Sequence, residues 1–344
     1  MKQFILYVPM LLLLAACGKD NTVASSKTVN VYVAGSGGGG PMLWKNDTAQ
    51  AFTNSNRGDA NSVYVSGNDV YVAGDIYTSG YVTEQPALWL NGNLVDVYSA
   101  NSIGNSQWAY GTSVYGSGND VYELIIGYIN YTELNTKVLY KNHIFWKTIS
   151  NMDDCNSVFV SGSDVYIAGY NSNTVTVPTI WKNGTVQTLP YQGKGGEAEA
   201  VYVSGGDVYV AGEVFSLNGQ SVATIWKNGV AQTLDNGSSY PNAILGSIYV
   251  SGNNVYVAGT EYINTLVENT MPTVWKNGVA QTLPTNGAYT AMAYSIAVSG
   301  SDVYVAGYVV PNGSNDNVAT LWKNGVATTL PNGTSANSIF VTDN

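Results

Sequence analysis

The chain has 344 residues, 10% of them charged and 45% hydrophobic, with 38 Gly and 26 Tyr; this suits many short strands joined by tight turns and excludes a disordered chain. A formal net charge of −10 offers no cationic stripe to a phosphate backbone, which excludes nucleic acid as a partner. One histidine and two cysteines leave a Ser-His-Asp relay, a Cys-His relay or a multi-His metal centre little to work with, and no metal or other cofactor is expected.

Residues 1–16 place Lys2 before an apolar run to Leu14 and then small residues, the layout of a secretory signal and too short to span a membrane. The stretch Leu14-Ala15-Ala16-Cys17 resembles the bacterial lipobox. That resemblance implies that Cys17 becomes the first mature residue and carries a lipid. Residues 17–28 lack apolar periodicity and read as a flexible tether. The expectation is a monomer anchored by lipid in a bacterial cell envelope, at the outer membrane, on its periplasmic or its exposed side. Cleavage would leave Cys155 as the remaining thiol, and its place at a strand entrance reads as a small buried apolar residue rather than a nucleophile.

From Val31 onward one phrase recurs. Copies of "VYVAG" begin at Val31, Val70, Val121 (degenerate, "VYELIIG"), Val165, Val208, Val255 and Val303. Each is followed by a copy of "WKNG", at Trp44, Trp89, Tyr140 (as "YKNH"), Trp181, Trp226, Trp275 and Trp322. A third phrase, "SVYVSG", precedes "VYVAG" at Ser62, Ser113, Ser157, Ala200, Ser247 and Ser295, and a last copy, "SIFV", stands alone at Ser338. Each unit thus carries four strand candidates, and four strands at a period of roughly 45 residues is the signature of a β-propeller blade. The first unit lacks its "SVYV" and the last "SIFV" lacks everything after it, so the two ends complete one blade. The expected fold is all-β, a seven-bladed propeller over residues 29–344, closed by the C-terminal strand joining the N-terminal blade.

"DVYVAG" is similar to the second-strand phrase of the NHL and related beta-propeller repeat families, and the resemblance covers residues 29–344. It implies the architecture and says nearly nothing about activity.

"SGND" and "NG" are turn sequences, and the Asn-Gly pairs favour type I′ hairpins. These tight turns fall on one face and the variable connections on the other, which is where binding residues are expected. The once-per-unit Trp residues read as packing between blades. The histidine, His143, stands where other units carry the turn glycine, away from that face. On the variable side the candidate binding face comprises Asp75, Tyr77, Tyr81, Trp108, Tyr110, Tyr128, Tyr170, Glu213, Phe215, Glu261, Tyr262 and Tyr308. Its aromatic and acidic character suits a protein or glycan ligand. The leading expectation is a binding or scaffold module that does not catalyse, with the carboxylates solvated in exposed loops. The alternative is a carbohydrate-active enzyme, a glycosidase or lyase, with a carboxylate pair at the propeller mouth.

Overall fold

Each "SVYVSGNDVYVAG" copy alternates buried and half-buried side chains too sparsely to leave a wet face, so its strands must be covered on both sides. Seven antiparallel sheets of four strands provide that cover by packing face to face around an axis. The computed structural model describes residues 28–50, 52, 57–78, 83–99, 103, 108–130, 133–172, 174–234, 242–264 and 269–343. The signal segment 1–16, Cys17, the rest of the tether to residue 27, and Tyr81 lie outside the described residues.

Blades 1 to 6 begin with inner strands Ala60–Ser66, Trp108–Ser117, Asp154–Ser161, Gly195–Ser204, Asn242–Ser251 and Thr290–Ser299. The seventh inner strand is Gly333–Asp343, and it pairs antiparallel with Val29–Gly37 from the opposite end of the chain. Each inner strand packs on the next, the last on the first, so the ring is closed as the orphan "SIFV" requires.

The "WKNG" turn bends with positive φ at both central residues, 51° at Asn183 and 108° at Gly184 for instance, as a type I′ hairpin demands. The asparagine there does more than turn. In all seven units its Oδ1 accepts the backbone N–H of the first valine of "VYVAG" at 2.8–2.9 Å, from Val31 to Asn46 through Val303 to Asn324. Its Nδ2 donates to the residue just before that valine, an aspartate in blades 1, 2, 3, 4 and 6. The adjoining lysine then reaches the same aspartate, at 2.8 Å for Lys182 and Asp164 and 2.7 Å for Lys227 and Asp207, and lies over the tyrosine of "VYVAG". The spaced letters D-V-Y and W-K-N therefore form one tie between the second and third strands of a blade. The aspartates, read from sequence as turn formers, are its acceptors.

The repeated tryptophans occupy the wedge between blades. Trp44, Trp89, Trp226, Trp275 and Trp322 are fully buried. In three of them the indole N–H donates to a backbone carbonyl at the end of the preceding blade: Trp44 to Pro331 at 2.9 Å, Trp226 to Pro190 at 2.7 Å, Trp322 to Pro284 at 2.8 Å. This satisfies the one polar atom of a side chain whose burial stabilises the joint. A second joint lies nearer the axis, where the serine of "SVYV" accepts the next inner strand's amide, as Ser62 does from Val114 at 3.0 Å and Ser338 from Val63 at 3.1 Å. Cys155 is buried and free, and burial pushes its thiol up.

Removing residues 333–344 takes away the only inner strand that bridges the two ends. The truncated chain is expected to lose the single cooperative thermal transition of the full chain or to melt at least 10 °C lower, read by circular dichroism; an unchanged midpoint would mean the bridging strand does not hold the ring.

Candidate functional site

In all seven blades the inner strand slips register against the second strand at one position, the mark of a β-bulge. The extra residues are Asn61, Thr112, Asn156, Glu199, Gly246, Tyr294 and Asn337, each directly before the serine or alanine of "SVYV". They line a cavity of about 230 Å³ on the propeller axis. Below them, toward the tight turns, rings from six blades stand side by side: Phe340, Tyr64, Tyr115, Phe159, Tyr202 and Tyr249 have adjacent centroids 4.3–5.3 Å apart. Ala297 takes the seventh place. Tyr115, Phe159, Tyr202, Tyr249 and Phe340 also line the axial cavity, so the collar borders it.

Above the bulges the mouth is acidic. The second strands run on past the glycine of "VYVAG", as Asp69–Thr78 and Asp207–Phe215 do, so residues expected in exposed loops are instead strand residues, and several are buried. Asp75, Glu213 and Glu261 are only 2–3% exposed. Asp75 lies opposite Asp59, accepts a bond from Asn61 Nδ2 at 3.3 Å and sits beside Glu84; burial first, then the charges of Glu84 and Asp59, push its carboxyl up to about 8. Tyr77 faces Glu84 across the ladder and its phenol is pushed up to about 12, by burial and then by that charge.

Blade 2 departs from the repeat. Ile126, not Tyr128, takes the place equivalent to Asp75, and Tyr128 pairs instead with Trp108 two residues farther out. The Tyr110 and Tyr128 hydroxyls are 3.0 Å apart and their rings stack with centroids at 5.8 Å. In blade 3 the Tyr170 hydroxyl donates to Asp154 Oδ2 at 3.1 Å. In blade 6 Tyr308 packs on Tyr294 with centroids at 5.8 Å.

Glu261 is one residue beyond the place equivalent to Asp75 and Glu213, which Thr260 fills. Successive strand residues point to opposite sides, so Glu261 faces away from that position and accepts a bond from Thr273 Oγ1 at 2.9 Å. It does not join the other two.

The densest arrangement is in blade 4, whose inner and second strands are Gly195–Ser204 and Asp207–Phe215. Glu197 lies directly across the ladder from Glu213, and the bulge adds Glu199 beside them. Like charges placed directly opposite on a sheet destabilise it, so burying Glu213 opposite the half-buried Glu197 and adding a third carboxyl is costly. Burial first, then Glu197 and Asp154, push Glu199 up to about 8. Glu213 is raised well above its ordinary value by burial and then by Glu199, while a bond from the Leu245 amide of blade 5 pulls the other way. Glu197 is raised less, by burial and Asp154, and its bond with Glu199 lowers it. Glu199, pushed up to about 8, therefore holds its proton at neutral pH and donates to Glu197. The three face a cleft of about 400 Å³ between blades 4 and 5, edged by Phe215 and Tyr262. Glu199 lines both this cleft and the axial cavity.

Sequence reasoning found Glu213, Phe215 and Tyr262 but missed Glu197 and Glu199. The signal was present: "EAEA" before "VYVSG" puts two glutamates where other units carry Asp59 and Asn61, or Asp154 and Asn156. Glu123 was missed too. It replaces the core valine of "VYVAG" in blade 2, 2% exposed, and burial pushes its carboxyl up to about 8. Among the described residues no group of three or more His, Cys, Asp or Glu is placed to hold a metal ion.

No family model matches the chain, NHL and beta-propeller repeat models included, and no curated protein matches it either. What stands of that resemblance is the seven-bladed architecture. Solved structures do match. They include an exo-1,5-alpha-L-arabinanase from a bovine ruminal metagenomic library (8% identity, 67% of this chain and 99% of that one, TM-score 0.38). A thermostable family-43 glycoside hydrolase matches at 12% identity over 68% of this chain and 96% of that one, TM-score 0.38. A native Bacillus subtilis arabinanase matches at 10% identity over 66% and 94%, TM-score 0.36. At these values no residue role passes from them to this chain. The expectation of a face that binds without catalysing is corrected at its premise, since the carboxylates taken as solvated, Asp75, Glu213 and Glu261, are buried.

A carboxyl such as that of Glu123, raised from 4.5 to about 8, keeps its proton in the fold and loses it in the unfolded chain between those values. The stability it contributes is complete below about pH 4.5 and disappears as pH rises through about 8. Thermal midpoints of the wild type are therefore expected to fall by several degrees from pH 5 to pH 9, and Glu123→Gln to flatten that slope and melt higher than wild type at pH 9; parallel slopes would show that Glu123 is not held protonated.

Proposed function

We propose that the chain is a carbohydrate-active enzyme that cleaves glycosidic bonds in the cleft between blades 4 and 5. The observation that carries this reading is the Glu197, Glu199 and Glu213 cluster: three carboxyls of unequal burial facing one cleft, Glu199 among them holding its proton at neutral pH, beside aromatic side chains. Glycoside hydrolysis needs such a pair, an acid to protonate the leaving oxygen and a carboxylate to act as nucleophile or to activate water.

Glu199 suits the acid, since burial keeps its proton near pH 7. Glu197, half-buried and open to the cleft, suits the carboxylate. Glu213, tied to the Leu245 amide, fixes the spacing of the cluster across the blade joint. Phe215 and Tyr262 offer faces on which a sugar ring can stack. The further mouth carboxyls Glu84, Asp154 and Glu197 disfavour a uronic acid, which favours neutral or amino sugars. Lipid attachment at Cys17 would hold this mouth at the cell envelope, where polysaccharides are at hand.

Incubating the full chain with neutral polysaccharides and following reducing ends tests the reading. Glu199→Gln and Glu197→Gln are each expected to lose roughly 10²–10⁴-fold in turnover. The wild-type rate is expected to fall as pH rises through about 8, where Glu199 gives up its proton. Full activity in Glu199→Gln would overturn the assignment, and binding of glycan with no cleavage would leave a lectin-like module in its place. Separately, Cys17→Ser is expected to move the protein from the membrane fraction to the soluble fraction, as followed by radiolabelled palmitate and fractionation; an unchanged membrane fraction would remove the anchor.

A further inference from the structure

Glu199 stands in the wall of two spaces, the cleft between blades 4 and 5 and the axial cavity. That cavity differs chemically from the mouth above it. Glu199 is its one carboxyl, and the rest of the wall at that level is amide, hydroxyl and aromatic. Two of the bulge asparagines are held by their amino ends: Asn61 Nδ2 donates to the Gly111 carbonyl at 3.0 Å and Asn156 Nδ2 to that of Ala198 at 3.2 Å. Both amide oxygens are thereby set as fixed acceptors. Thr112, between them, adds its side chain to the same wall.

The volume and the floor limit what the cavity can hold. About 230 Å³ lies below the ~300–1,000 Å³ typical of drug-sized ligands, so the space takes one small ring and not an oligosaccharide. The aromatic collar forms the cavity's side toward the tight turns. Amide groups and aromatic faces around a small volume are the complement of a polyhydroxylated ring.

We propose that the axial cavity is a subsite for one uncharged terminal sugar unit, entering from the mouth and stopped by the aromatic collar, so that the protein acts on chain ends. The proposal rests on the glycan reading of the mouth for its chemistry and on the cavity alone for its binding. A terminal unit seated on the axis places the next glycosidic bond toward Glu199, at the junction of cavity and cleft, and leads the rest of the chain out past Phe215 and Tyr262.

The test uses the full chain with D-glucose, D-galactose, D-xylose and L-arabinose as probes in calorimetric titrations, beside Thr112→Tyr and Asn156→Leu. A tyrosine at position 112 has a precedent in Tyr294, which fills the same bulge in blade 6, and it plugs the cavity from a place remote from the cleft. One of the four sugars is expected to bind with a stoichiometry of one, and Thr112→Tyr to weaken that binding at least tenfold with unchanged circular dichroism. Should Thr112→Tyr fail to fold, Asn156→Leu decides by the same measure. Digests of neutral polysaccharides are expected to yield monosaccharide from the first time point. No binding of any of the four sugars to the wild type, wild-type affinity in the plugged variant, or oligosaccharides appearing before monosaccharide would each overturn the terminal subsite. Sugar binding lost in Thr112→Tyr, in a protein that cuts no polysaccharide, would uphold the subsite and sink the catalytic reading instead.

Discussion

Everything in this molecule depends on the ladder between Val29–Gly37 and Gly333–Asp343. A four-stranded blade is apolar on both faces and cannot be dry alone. Seven blades in an open arc would still leave two wet ends and two unpaired backbone edges. Pairing the first strand with the last removes both liabilities, and it does so over a sequence separation of some 300 residues, where loop closure is entropically costly but must be met only once. The serine and tryptophan joints then act between neighbours that closure has already brought together.

The architecture was legible because its information is local and repeated. "NG" specifies a turn whose backbone only a few residues adopt, and each copy carries that information again. The count of blades and the identity of the closing strand followed from phase alone, since Ser338 had no second strand and Val31 no first. Even the degenerate "VYELIIG" keeps its hairpin, because Asn142 still accepts from Val121.

The mouth was less legible, and the reasons are physical. Strand and loop were divided at the glycine of "VYVAG", but the ladder continues past it, so exposure was assigned to Asp75 and Glu213 where burial holds. A register counted by residue number rather than by pairing misplaced Tyr128 and Glu261, since one inserted or displaced residue moves a side chain to the other face of the sheet. The bulge itself has no sequence signature in a repeat that carries it in every copy. Only the ladder reveals that the residue before each serine is the unpaired one, and with that known the asparagines, the threonine and Glu199 fall into a single ring.

That ring has an evolutionary consequence. At the bulge the chain places Asn, Thr, Asn, Glu, Gly, Tyr and Asn in seven otherwise similar settings, so the position tolerates side chains of any size and polarity. Scaffold residues such as the buried tryptophans have no such latitude. A lineage built on this frame could remodel the axial cavity by substitutions at seven addresses, each facing the same small volume, without renegotiating a blade joint or a turn.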